Sequence, residues 1–344
     1  MERYLPKAID LFCGVGGTTL GLRKAGFNII GSIDLDKDAI CGYRMNHPKV
    51  RIWEEDIRKL SPVKVMKSLG LKKGDLDLLA GCPPCQGFSK LRGKTNAEKT
   101  KDNRNDLVFE FLRFAKAFRP KTIMMENVPG LKADDRLNKM KHEFRKMGYS
   151  IEYGVENAEN YGVPQRRKRF ILIGSLSGPV SLAEPKKQKK TVRQAIGFLK
   201  EAGSSGDLLH DMVTDYKQET LKIFELIPKD GGLRSDLPAE YQLNCHKRSG
   251  GFKDVYGRMK WDEVSPTITG GCTSASKGRF IHPEANRAIT LREAALLQGF
   301  PRGYKFPTNI RRGKIALLIG NAFPPAFTTS HAKLLAKSLY DAQQ

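Results

Sequence analysis

The first half of the chain alternates short apolar runs with amphipathic stretches. The runs Ala8–Phe12, Asn28–Asp34, Val50–Trp53, Leu76–Ala80, Thr122–Glu126, Ile151–Val155 and Phe170–Gly174 read as strands. Between them, Thr19–Ala25 and Asp106–Phe118 carry a helical period. In the second, Leu107, Phe111, Phe114, Ala115 and Phe118 fall on one face at three- and four-residue steps. This alternation predicts a doubly wound, mostly parallel α/β sheet, because parallel neighbours need crossover connections that cover both faces. Ligands of such sheets sit beyond the carboxyl ends of the strands, so chemistry is expected in the residues that follow each strand.

After Gly174 the alternation stops. Ser175–Lys190 carries prolines, serines and the basic run Lys186, Lys187, Lys189 and Lys190, and reads as a linker or exposed loop. From there to about His282 the pattern is irregular and rich in glycine, with pairs at Gly231-Gly232, Gly250-Gly251 and Gly270-Gly271. A second, smaller domain built on loops and short strands is expected there. Amphipathic helices return at about Leu291–Leu297 and Ala326–Leu339. The chain thus divides into 1–175, 176–285 and a C-terminal segment, 286–344.

Charge narrows the class of partner. The 344 residues hold 60 Lys and Arg against 37 Asp and Glu, a formal charge of +23. A surface that cationic gathers polyanions, which points to nucleic acid, although a ribosomal or heparin-binding protein would share the number. Six cysteines are too sparse for a disulfide scaffold. The start shows no signal-peptide core and no run is long enough to span a bilayer, so a soluble intracellular protein with reduced thiols is expected.

The first strand leads into Asp10-Leu11-Phe12-Cys13-Gly14-Val15-Gly16-Gly17, and a helix follows. Gly14, Gly16 and Gly17 allow a sharp turn and close approach of the backbone to a ligand. Asp34 with Leu35 ends the second strand, where a carboxylate can accept from ribose hydroxyls, and Asp56 with Ile57 follows the third and could meet an adenine amino group. A dinucleotide-binding dehydrogenase would look similar, as would a plain tight turn with solvated acids. Thr19 stands where the dinucleotide fingerprint has its last glycine, which favours a different adenosine-bearing cofactor.

After the fourth strand comes Gly81-Cys82-Pro83-Pro84-Cys85-Gln86-Gly87-Phe88-Ser89. Cys82 and Cys85 could form a redox pair or half of a zinc site. The other cysteines (Cys13, Cys41, Cys245, Cys272) are scattered, and only Cys245-His246 looks ligand-like, so no metal is expected. Alternatively, one cysteine is a nucleophile at the strand tip, held by the rigid prolines.

The run Pro84-Cys85-Gln86, with Asp10-Leu11-Phe12 through Gly17 before it and Glu126-Asn127-Val128 after it, resembles the DNA cytosine-5 methyltransferase family of bacterial type. Gln165-Arg166-Arg167-Lys168-Arg169, Arg292-Glu293-Ala294-Ala295 through Pro301, and Gly320-Asn321-Ala322-Phe323-Pro324-Pro325 continue the likeness in the family's order. Asp34 and Phe323 depart from it, standing where glutamate and valine are usual.

The resemblance implies a Rossmann-like catalytic domain in 1–175 that binds S-adenosylmethionine, and a target-recognition domain in 176–285. The final segment is expected to return to the first strand. Phe12, Asp34, Asp56, Pro84 and Asn321 would line the cofactor pocket, together with the glycine turn, Leu35 and Ile57. Cys85 would add as thiolate to cytosine C6, and Arg167 and Arg169 would favour its ionisation. Glu126 would act as the acid at N3. The target base must leave the duplex stack, and the basic stretch Lys90–Arg104 is expected to close over it. Asn244–Gly251 and Thr267–Ser276 are candidates for reading base edges. The expected activity is sequence-specific methylation of double-stranded DNA by a cytoplasmic, monomeric modification enzyme paired with a restriction nuclease. An RNA cytosine methyltransferase and a catalytically silent DNA-binding protein are the alternatives.

Overall fold

The computed structural model describes residues 4–84, 106–242 and 254–342. Cys85, the stretch Lys90–Arg104 and Asn244–Gly251 lie outside the described residues. The chain forms two compact units. One comprises Met1–Tyr161, Lys168–Pro185 and Phe323–Gln344; the other comprises Gly162–Arg167 and Lys186–Ala322.

The first unit is built in chain order from β1 (Lys7–Leu11), α1 (Gly17–Lys24), β2 (Asn28–Asp34), α2 (Lys37–Asn46), β3 (Arg51–Glu54), α3 (Pro62–Ser68) and β4 (Leu78–Gly81). It continues with α4 (Leu107–Phe118), β5 (Thr122–Asn127), α5 (Asp135–Lys146), β6 (Ser150–Asn157), β7 (Lys168–Ser175) and α6 (Pro325–Asp341). The seven strands form one sheet in the order β3-β2-β1-β4-β5-β7-β6. The pairs β2–β3, β1–β2, β1–β4 and β4–β5 are parallel, whereas β7 runs antiparallel to both β5 and β6. The sheet is therefore mostly parallel, as the alternation predicts. Its antiparallel edge is formed where the chain returns from β6 with no crossover helix between them.

Local chemistry sets the helix starts. Asp36 caps α2 by accepting from the N–H groups of Asp38 and Ala39, Ser61 caps α3 just before Pro62, and Asp134 caps α5. In α4 the face carrying Phe111, Phe114, Ala115 and Phe118 is buried, as the period predicts. These side chains join Ile9, Leu79, Ile123 and Leu172 in the core.

The C-terminal helix α6 packs against α1, the helix after β1. At Gly21 an added Cβ would lie 2.4 Å from Thr328 Cβ and 2.6 Å from the Pro325 carbonyl, so the two helices approach closely only because glycine stands there. Thr329 Oγ1 donates to the Gly21 carbonyl (3.0 Å). Residues 286–322, expected in the returning segment, belong to the second compact unit, and the return begins at Phe323.

The second unit contains helices at Val192–Ile196, Leu208–Asp211, Gln218–Leu226, Leu291–Leu297 and Arg312–Asn321. The expected short strands are not seen among the described residues, which show only isolated bridges such as Arg258↔Ile281. The physical reason lies partly in Arg258. Its buried guanidinium donates to the carbonyls of Phe224, Ile227, His282 and Ala285 and to Asn286 Oδ1, so one side chain satisfies groups that a ladder would otherwise pair. Thr290 and Glu293 form a capping box at Leu291–Leu297, and Glu293 also takes both terminal nitrogens of Arg287 at 2.8 Å.

Candidate active site

β1 lies between β2 and β4, so the strand order reverses there, and the carboxyl ends of β2, β1, β4 and β5 stand side by side at the switch point. After β1 the backbone enters left-handed conformations at Phe12 (φ 59°), Gly14 (φ 53°) and Gly16 (φ 94°). A non-glycine residue held there stores about 1–3 kcal/mol of strain, which the fold retains around this turn.

Asp34 fixes the turn. Its Oδ2 accepts the Gly14 N–H at 2.7 Å and its Oδ1 accepts the Asp36 N–H at 2.9 Å. Burial pushes the Asp34 carboxyl up, against the opposing pull of these donors. A Cβ added at Gly14 would meet nothing within 4 Å, so the face of the turn is open. Leu35, next to Asp34, leaves 62% of its surface exposed. Asp56 accepts from Arg58 Nη2 at 2.6 Å and from the Arg58 backbone N–H at 3.0 Å. The Arg58 side-chain hydrogen bond holds this carboxyl below the usual range. Ile57 is buried in the core and Gly17 begins α1.

Behind the turn, Asp10 is wholly buried. Its Oδ2 accepts from Thr19 Oγ1 (2.7 Å), and the Thr19 hydroxyl meets Tyr43 (2.9 Å), which in turn meets Ser32 (2.6 Å). Asp10 Oδ1 has no hydrogen-bond partner among the described residues. Burial pushes the Asp10 carboxyl up to about 7.

Parallel pairing sets Gly81 opposite Met125, so the residues that follow, Cys82 and Glu126, are also level. Glu126 is 9% exposed, and its Oε1 accepts from Arg169 Nε at 2.9 Å. Arg169 reaches it from the start of β7, since β5 and β7 are antiparallel neighbours. Cys82 Sγ lies 3.3 Å from Thr18 Oγ1 and is hydrogen-bonded to Glu126. Burial, then the charges of Glu126 and Asp10, push its thiol well above the ordinary value. Next along, Asn127 Nδ2 donates to the Pro83 carbonyl and Asn127 Oδ1 accepts the Val128 N–H, so the end of β5 holds the segment that runs through Pro84.

Of the residues singled out in the sequence, Phe12, Gly14 and Asp34 meet at the turn, and Glu126 meets Arg169. Arg167 is buried and donates to the carbonyls of Ile268 and Gly320, both at 2.9 Å and both in the second unit. Asn321 ends the helix Arg312–Asn321 of that unit. Gln165 and Gln298, also from the quoted motifs, join there through Gln165 Nε2 and Gln298 Oε1 (2.6 Å). Sequence reading missed the Asp10 hydroxyl chain and the contact of Cys82 with Glu126. The signal for the second was present: each residue directly follows or ends an apolar run, and the two runs are parallel neighbours.

Residues 6–337 match the family described as C-5 cytosine-specific DNA methylase. The chain is 35% identical over 345 residues to the Type II methylase M.HgiDII of Herpetosiphon aurantiacus, covering 96% of this chain and 94% of that protein. It is 32% identical to the Type II methyltransferase M1.HphI of Haemophilus parahaemolyticus, covering 96% and 86%. Among solved structures, a prophage-encoded protein of Escherichia coli superposes with a TM-score of 0.69 at 25% identity, over 98% of this chain and 99% of that one. The Entamoeba histolytica methyltransferase EhMeth shares the fold, with a TM-score of 0.68 at 16% identity over 99% and 100%.

Proposed function

Because the chain belongs to the family of C-5 cytosine-specific DNA methylases, we propose that its first unit carries out the methylation with Cys85 as nucleophile and Glu126 as the acid at N3. The observation that carries this reading is the Glu126–Arg169 pair at the end of β5, level with the segment that leads into Pro84-Cys85.

Cytosine C5 is a weak carbon nucleophile. Addition of the Cys85 thiolate to C6 moves electron density onto C5 and N3, and an acid at N3 neutralises the charge that builds there. Glu126, buried and level with Cys82, is suited to sharing a proton at that atom. Arg169 keeps the carboxylate in place and adds positive charge near the strand tip. Arg167 belongs to a different task, holding two backbone carbonyls of the second unit. When a base removes the C5 proton, the thiolate leaves and the C5–C6 double bond returns.

The turn after β1 suits S-adenosylmethionine, which when bound supplies an electrophilic methyl group. Asp34 offers acceptor lone pairs for ribose hydroxyls, Phe12 and Leu35 offer apolar surface for adenine, and Asp56 accepts from an amino group. Gly14, Gly16 and Gly17 let the backbone approach, and Ile57, Pro84 and Asn321 complete the set we assign. The substrate is cytosine in duplex DNA, swung out of the stack at a cost of a few kcal/mol. Base edges are read by residues of 176–285, Thr267–Ser276 among them. Relatives named as Type II enzymes support a role as the modification half of a restriction system, acting as a monomer in the bacterial cytoplasm.

Labelled S-adenosylmethionine, offered with duplex DNA or with tRNA, tests the reading. Label should enter DNA alone, and duplexes carrying 5-fluorocytosine should become covalently trapped on the wild-type protein and not on Cys85→Ser. Label in tRNA alone, or trapping by the Ser variant, would overturn it.

A further inference from the structure

We propose that Cys82 is a positioning residue for methyl transfer: its thiol, anchored on Thr18, donates to the Glu126 carboxylate and holds it beside Arg169 in a single orientation. The proposal rests on the reading of Glu126 as the group that meets N3.

Three elements converge on this carboxylate. Arg169 approaches from β7, with Nε 2.9 Å from Oε1. Cys82 approaches from the residue just after β4, whose backbone N–H donates to the Leu11 carbonyl at 3.2 Å and so fixes where its side chain starts. Thr18, buried in the first turn of α1, holds the sulfur at 3.3 Å. An arginine contact alone leaves a glutamate side chain free to rotate about the shared axis. A second donor from a different strand removes that freedom, and orientation of the reacting group is what an acid at N3 requires.

The state of the sulfur decides what it can do. Burial and the neighbouring charges of Glu126 and Asp10 keep it as a neutral thiol. A neutral thiol is a poor nucleophile and a hydrogen-bond donor. The two cysteines of Cys82-Pro83-Pro84-Cys85 therefore divide the work, one orienting the acid and the other attacking the ring.

Single-turnover methylation of a duplex substrate, at saturating S-adenosylmethionine, separates the outcomes. Cys82→Ala, which removes the donor, should slow the reaction about tenfold, the scale of one hydrogen bond to a charged group. Its affinities for DNA and S-adenosylmethionine should stay as in the wild type. Losing a donor favours the protonated carboxyl, so the alkaline limb of the pH–rate profile should move to higher pH. Cys82→Ser should restore both rate and limb. Added to Glu126→Gln, Cys82→Ala should cost little more. Wild-type rates in Cys82→Ala overturn the proposal, as do equal losses in Ala and Ser with weakened binding or an unmoved limb, or full additivity with Glu126→Gln. A slow Glu126→Gln beside a normal Cys82→Ala removes this proposal alone. A Glu126→Gln enzyme at wild-type rate removes the N3 reading and this proposal with it.

Discussion

The Asn127 side-chain amide donates to the Pro83 carbonyl at 3.1 Å, so β5 restrains the backbone two residues before Cys85. The same side chain accepts the Val128 N–H at 2.8 Å and is almost fully buried. Asn127→Ala should lower stability by about 2 kcal/mol, the cost of unpaired buried polar groups. The single-turnover rate should fall by more than that loss of folded protein explains, while DNA affinity holds. Denaturant titration beside single-turnover methylation makes the comparison, and a rate that merely tracks the folded fraction would count against restraint of the nucleophile.

Asp34 takes two backbone N–H groups through its two oxygens. Asp34→Ala should release the turn after β1 and weaken S-adenosylmethionine binding at least about tenfold, as loss of hydrogen bonds to a charged acceptor predicts. Calorimetric titration of cofactor, with a DNA-binding assay as control, measures this. Equal losses in both assays would point to general unfolding instead.

Asp10 gives stability a pH dependence of definite sign. Its carboxyl stands at about 7 in the folded chain against an ordinary value of 3.8, so folding takes up a proton between these values. Its contribution is fully present below about pH 4 and is lost as pH rises through about 7. Asp10→Asn cannot ionise. Between pH 5 and pH 8 the stability of this variant relative to wild type should improve by about 2–3 kcal/mol, since a tenfold change in proton activity is worth about 1.36 kcal/mol per proton taken up. Urea titrations at both pH values decide it, and a constant difference would show that Asp10 does not titrate there.

With a formal charge of +23, the protein should release counterions when it binds duplex DNA. Raising salt from 50 to 200 mM should weaken binding by about a hundredfold or more, on the scale expected for several phosphate contacts. Fluorescence anisotropy with a labelled duplex reads this directly. A response of less than about threefold would assign the positive charge to some other task.

Much of the first unit was legible because hydrophobic period is a local property. Leu107–Phe118 buries the face that its spacing marks, and Asp34 and Glu126 end strands whose apolar runs announce them. Where polar residues continue a strand, the apolar pattern stops short of its end: β6 runs on through Glu156 and Asn157, paired with Arg169 and Lys168. The second unit was less legible, since its loops are held by Arg258, Gln165 and Arg167 reaching backbone carbonyls or side chains distant in sequence. Such contacts leave no periodic trace. For the same reason, the basic run around Arg167 suggests help for a thiolate, whereas its guanidinium is spent on Ile268 and Gly320.

The seating of α6 on α1 has a consequence for synthesis. A ribosome must translate roughly 180 further residues after Tyr161 before α6 emerges to cover Gly21. At about 5–20 residues per second that is a delay on the order of ten to forty seconds. Throughout it, the nascent sheet must keep one flank of its first helix uncovered, while an entire second body is threaded out between its halves.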